Sequence, residues 1–319
     1  HSWNGKYRRP DKLWTPDFRT PMQGNLLWVY EGQTSFWDLV LAGRSGMQSK
    51  DMILSEWATN AANYSVQAGR EWRSVEDTTL DPVMAARKAR AFPGATRTED
   101  YYNEGSLMWL DADMIIRTGT NNAKSLDDFA KSFFGGKPGD WGEVTYDFDD
   151  VAAALNAVYP YDWAKFMRER MQLPGQPAPF AGIERAGYRL AWRDAPNAYD
   201  RARMSRAKNY DLTHSLGMTI DKDGVAGSIQ WNGPAFKNDI INGTKIVAVD
   251  GVAYAKDRLE AAIRAAADGK TPVRLLVERG GRYRQIEIDY HGGLRWPHLE
   301  KTGAGPDWFD QLLAPKRQL

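Results

Sequence analysis

The chain contains no cysteine, only four histidines, no excess of either charge and no long apolar run. Each scarcity removes a class of explanation. Without cysteine there is no disulfide framework, no thiolate metal site and no thiol nucleophile, and the redox compartment stays open. Forty-two Lys and Arg against forty-one Asp and Glu leave a net charge of +1. No global field therefore draws the chain to nucleic acid or to an anionic membrane. No stretch reaches the ~18 consecutive apolar residues needed to span a bilayer. At 319 residues the chain is too long for one small core, and two domains are expected.

Aromatic residues are plentiful: thirteen Trp, fourteen Tyr and eleven Phe. They crowd the first two hundred residues, as large packing side chains of a broad core would. From Glu31 to about Met171 the pattern is mostly helical. Phe36, Leu39, Val40 and Gly43 recur at helical spacing, "DMILSEWATNAANYSVQAGREW" reads as a second helix, and Leu107, Leu110, Met114 and Ile115 form a third stripe. Ser125 with Asp128 three positions on has the form of a capping box, and "DFDDVAAALNAVY" and "YDWAKFMRERM" complete the set. The Pro-rich connector "LPGQPAPF" at 173–180 then changes the character. Strand-like pieces follow ("GYRLAW", "LGMTID", "GSIQW", "KIVAVDG", "VRLLVER", "YRQIEIDY") with one helix, "AKDRLEAAIRAAADG", among the last of them. The final stretch from Gly292 is too apolar for a free tail and is expected to dock.

The opening "HSWNGKYRRP" places a histidine first. A true N-terminal histidine can bind copper through its amine and imidazole, as in copper-dependent polysaccharide monooxygenases. Those are β-sandwiches, whereas the residues that follow here read as helical. A tag remnant would explain nothing downstream.

"HSWN", "RRP" and then "LLWVYEGQTSFW" together resemble the glycyl aminopeptidase family of gluzincin zinc peptidases. In that family a helix carries H-E-x-x-H, its second histidine followed by Trp-Asn and a basic run, and a later E-G-x-T segment supplies a third ligand. The resemblance implies that His1 is the second histidine and Glu31 the carboxylate ligand of a Zn2+ site. It further implies that the first histidine and the general-base glutamate lie upstream of His1. Such a site leaves the fourth zinc position to water. Tyr102, three before Gly105, fits the register of a tyrosine that hydrogen-bonds the oxyanion. Glu104 stands where that element usually carries a basic residue. Away from the resemblance, Glu31 reads as a solvated acid at a helix N-terminus, and Tyr101 and Tyr102 as half-buried caps. Arg8 and Arg9 read as structural ion-pairing residues.

"HSLGMTID" with "GPAFKNDIINGTKIVAVDG" resembles a PDZ domain. The resemblance implies a carboxylate-binding loop at Ser215, Leu216, Gly217 and Met218. The helix residues Leu259, Ala262 and Ile263 would form the other groove wall, and peptide C-termini would be the partners.

The expectation is a multidomain α+β chain. It has a mainly helical gluzincin-type catalytic subdomain over 1–175, a β-rich PDZ-like domain over 180–291 and a docking tail over 292–319. Its expected function is hydrolysis of peptides with small N-terminal residues such as Gly or Ala, with peptides as partners and neither nucleic acid nor a membrane span. The alternative is a peptide-binding scaffold whose peptidase half is inactive. The family resemblance favours a periplasmic or secreted bacterial location.

Overall fold

A computed structural model describes residues 1–84, 92–136, 139, 144–303 and 305–316. Trp28, Val29, Phe36, Leu39 and Val40 lie on one stripe of α1 (Leu27–Arg44) and are all buried. Against it packs α2 (Lys50–Ser65), opened by Ser49, whose hydroxyl accepts from the Met52 N–H at 3.2 Å. The second helix is shorter than its sequence pattern: it stops at Ser65, and Ala68–Glu71 is a separate 3-10 turn.

Helix α3 (Asn103–Gly119) runs through the middle of this body and is buried on almost every side. It crosses α1 at a pair of glycines. A Cβ on Gly32 would stand 2.7 Å from the Tyr101 carbonyl oxygen and 2.8 Å from the Gly105 Cα, so the two backbones touch only because both side chains are hydrogen. Around them lie α4 (Leu126–Phe134), α5 (Phe148–Val158) and α6 (Trp163–Met171). The capping box at Ser125 and Asp128 is formed, and Asp147 with Asp150 makes a second one. Trp28, Trp57, Trp109 and Trp163 are fully buried in this core. The N-terminal segment is tied on by β1 (Arg8–Pro10), which pairs in parallel with β2 (Val144–Tyr146). Arg8 donates to the Phe133 carbonyl at 2.8 Å and lies 3.7 Å above the Phe133 ring, a packing role in place of the expected ion pair.

Beyond the connector come α7 (Ala181–Arg185), β3 (Tyr188–Arg193) and α8 (Ala198–Ala207). The second module holds two small sheets. One is β4 (Asn209–Asp211), β5 (Thr219–Asp221) and β6 (Ala226–Gly227); the other is β7 (Lys245–Val249), β8 (Val252–Ala253), β9 (Val273–Arg279) and β10 (Arg282–Ile288), in the order β10-β9-β7-β8. Helix α9 (Lys256–Ala266) covers their core. "GSIQW" is not a strand: Ser228 has φ +46°, a left-handed turn that ends β6 at Gly227.

The final stretch packs on the helical body. Strand β11 (Trp296–Lys301) pairs antiparallel with β3, and α10 (Trp308–Leu313) lays Phe309 on Trp57 with ring centroids 5.1 Å apart. The helical core continues past 180. Ile183, Ala186 and Tyr188 join the helical core together with Phe309 and Leu312, and the second core gathers residues from Met204 to Trp296. The physical reason is the β3–β11 pairing, which returns the last strand to the first body. No described helix is long and apolar enough to cross a membrane.

Candidate metal centre and the cleft beside it

His1 Nε2 and Glu31 Oε2 stand 3.0 Å apart, His1 at 43% and Glu31 at 18% side-chain exposure. The imidazole stacks on Tyr30 at 4.5 Å, and its Nδ1 lies 2.8 Å from the Asn4 carbonyl oxygen. A carbonyl can only accept, so Nδ1 carries a proton; the Glu31 carboxylate likewise accepts from Nε2 in the metal-free pair, and a metal would take the place of that second proton. Two ligand atoms on a tetrahedral zinc stand roughly 3.3 Å apart, given bonds of about 2.0–2.1 Å. The Nε2–Oε2 separation and the nitrogen-and-carboxylate donor set therefore fit two positions of such a site. Among the described residues no group of three or more metal-ligating side chains stands together. Burial and the neighbouring Glu31 charge push the Tyr30 hydroxyl above its ordinary pKa, with Arg9 opposing.

The pair opens onto a cleft of about 720 Å³. Thr34, Asp38 and Leu41 line it from one face of α1, and Ala130, Lys131 and Phe134 from α4, with Trp3 at the His1 end. Its far end is closed by Arg44, which donates to both Asp127 oxygens at 2.6 and 2.9 Å. Burial raises the Asp127 pKa, but the Arg44 hydrogen bonds and charge outweigh it and hold the carboxyl down to about 2. None of the other three histidines lines this cleft. His214 bonds Asn63, His291 bonds the Ala266 carbonyl and Asp289, and His298 bonds the Ala195 carbonyl.

Tyr102 caps α3 and is half-buried, whereas Tyr101 is 1% exposed; their rings lie 4.7 Å apart. Tyr102 is not among the cleft-lining residues, but the Gly32–Gly105 crossing seats its turn against the residue after Glu31. That turn is clamped from behind. Arg97 is buried in a left-handed conformation (φ +54°), donates from Nε to Asp100 at 2.7 Å and binds Glu104, which also takes Arg70. Glu104, which breaks the family pattern, is thus a buried anchor for two guanidinium groups.

In the second module Leu216, Met218, Leu259 and Ile263 are all fully buried in the second core, so Leu259 and Ile263 offer no open groove wall. The Ser215 and Gly217 N–H groups both donate to the Leu212 carbonyl, at 3.0 and 2.9 Å. A carboxylate at this loop would need donors other than those two. The cleft that touches Ser215 and Gly217 opens toward the helical body, between Trp192, His214, Trp231 and Arg295.

The sequence pattern alone assigns no role to Asn4, Tyr146, Arg70, Arg97 and Asp100, and the last four belong to no motif. Asn4 was findable from its place next to the histidine. The charged cluster joins residues far apart in the chain and left no local signal.

Residues 1–108 match the family model described as M61 glycyl aminopeptidase. No curated protein is similar enough to match. Among solved structures the chain is similar to an aminopeptidase N family protein from Idiomarina loihiensis, with a TM-score of 0.75 and 18% identity. That match covers 99% of this chain and 53% of the other, so the chain spans about half the length of that neighbour.

Proposed function

We propose that this chain, whose residues 1–108 match the family model of M61 glycyl aminopeptidases, is the C-terminal part of a zinc-dependent aminopeptidase. One observation carries the reading: a histidine nitrogen and a glutamate oxygen 3.0 Å apart at the end of a cleft large enough for a peptide. His1 and Glu31 would hold the metal, with the remaining histidine ligand and the general base supplied by residues outside this sequence. When bound, zinc would polarise the scissile carbonyl and make its water acidic. Tyr102 would donate its hydroxyl hydrogen to the carbonyl oxygen as charge develops there. Glu31 brings negative charge and the neutral His1 brings none, so the carboxylate carries most of the electrostatic attraction for a dication. Peptides with small N-terminal residues, Gly or Ala, are the proposed substrates, and a periplasmic or secreted location follows from the same family resemblance.

The test is metal retention. In a chain extended upstream through an H-E-x-x-H helix ending at His1, Glu31→Ala should lose most of its zinc after dialysis, by elemental analysis. Full occupancy in that variant would move the third ligand elsewhere.

A further inference from the structure

We infer that Asn4 is the positioning residue that holds the His1–Glu31 pair in register; the inference rests on those two residues being the metal ligands. Asn4 is 6% exposed and bonds to both sides of the pair at once. Its main-chain carbonyl takes the Nδ1 hydrogen of His1 at 2.8 Å, which fixes the ring orientation and leaves Nε2 facing Glu31. Its side-chain amide donates to the Val29 carbonyl at 2.9 Å and to the Tyr30 carbonyl at 3.2 Å, the last two peptide units before Glu31. Its Oδ1 accepts from the buried Tyr146 hydroxyl at 2.8 Å. The amide is therefore aimed unambiguously: two donors meet two carbonyls, and the one acceptor meets a hydroxyl.

The bonds form a closed chain of constraint. The β1–β2 pairing puts Pro10 beside Tyr146, Tyr146 aims Asn4, and Asn4 joins the histidine loop to the first turn of α1. The next residue tightens the same joint. Gly5 has φ +147°, and a Cβ there would lie 2.8 Å from the His1 carbonyl oxygen and 3.0 Å from the Tyr30 hydroxyl. No other side chain reproduces the Asn4 pattern. Aspartate would set a carboxylate against two carbonyl oxygens, and a longer glutamine would push the histidine loop off α1.

Zn2+ titration by calorimetry of a chain extended upstream through an H-E-x-x-H helix ending at His1 tests the inference. The variants are Asn4→Asp, Tyr146→Phe and Glu31→Gln, each checked for folding by near-UV circular dichroism. Loss of a group that orients a metal ligand costs about 10–100-fold in affinity, and Asn4→Asp should fall in that range while keeping the wild-type spectrum. Tyr146→Phe removes only the hydroxyl that aims the amide and should weaken Zn2+ several-fold. If Glu31→Gln binds Zn2+ like wild type, the site reading itself fails. If Glu31→Gln loses binding while Asn4→Asp, folded, keeps it, Asn4 has no positioning role. Should Asn4→Asp not fold, Tyr146→Phe decides, and unchanged affinity in that variant overturns the inference. A second readout separates positioning from bulk stability: with Zn2+ bound, the 15N shifts of the His1 ring should show Nδ1–H and a metal-bound Nε2 in wild type and a mixture of ring states in Tyr146→Phe.

Discussion

Replacing Gly32 by alanine would test the closest backbone contact in the helical body. On an exposed helix the change would stabilise by about 0.8–1.0 kcal/mol, because alanine loses less backbone entropy. Here the new methyl would stand 2.7 Å from the Tyr101 carbonyl oxygen and 2.8 Å from the Gly105 Cα, and both neighbours are backbone. Neither can swing away, so α1 and α3 must part. Overpacking of a tight core typically costs ~1–3 kcal/mol, occasionally more. Because every close contact is backbone, the cost falls in the upper half of that range, and the net expectation is a loss of roughly 1–2 kcal/mol, or about 2–8 °C in Tm for a body of this size. Gly43→Ala is the matched control on the same helix. Its Cβ would crowd the ends of two flexible side chains, Ile53 Cδ1 at 2.7 Å and Leu313 Cδ2 at 3.0 Å, and would meet Leu313 Cβ at an ordinary 3.6 Å, so a near-neutral result is expected. Urea titration and thermal melting of both variants give the comparison. Equal or greater stability in Gly32→Ala than in wild type would refute the contact.

Two further outcomes follow from the site and its surroundings. Burial first and the nearby Asp38 charge second push Glu56 up to about 7 from 4.5, so between those values the folded chain holds a proton that the unfolded chain has released. Stability therefore falls as pH rises through that window, and Glu56→Gln should stabilise by about 2 kcal/mol at pH 8 but hardly at pH 4. Urea midpoints at the two pH values measure it, and an equal effect at both would contradict the assignment. In an active, upstream-extended chain, Tyr102→Phe should lower kcat by on the order of 10²–10³ with KM little changed, and Tyr101→Phe should not. The reverse ranking would exchange the two tyrosines.

Periodicity made the helical body legible, because Phe36, Leu39 and Val40, or Leu107, Leu110 and Met114, must face one way to be buried. The capping box at Ser125 was equally local and equally readable. The likeness to known peptidases singled out His1 and Glu31, and the fold brings them together across thirty positions. Pairings at long range were hidden. "GYRLAW" was read as a strand, but nothing in those six residues indicates a partner at 296–301. Glu104 looked anomalous by itself, since its two guanidinium partners come from turns earlier in the chain. The burial of Leu259 and Ile263 was hidden for a related reason. Leu259 and Ile263 lie on the apolar face of α9, and a core packs that face as readily as a ligand would.

The β3–β11 ladder has a consequence for how the molecule is assembled as a modular object. Arg193 and Trp296, where the chain leaves the helical body and where it returns, are register partners in adjacent strands. Everything from 194 to 295 is therefore an insertion in place of the loop of a hairpin. A segment with neighbouring ends can be exchanged or spliced out by bridging a single inter-strand gap, provided the contacts of Asn197, Asp200 and His214 with Thr59 and Asn63 are replaced.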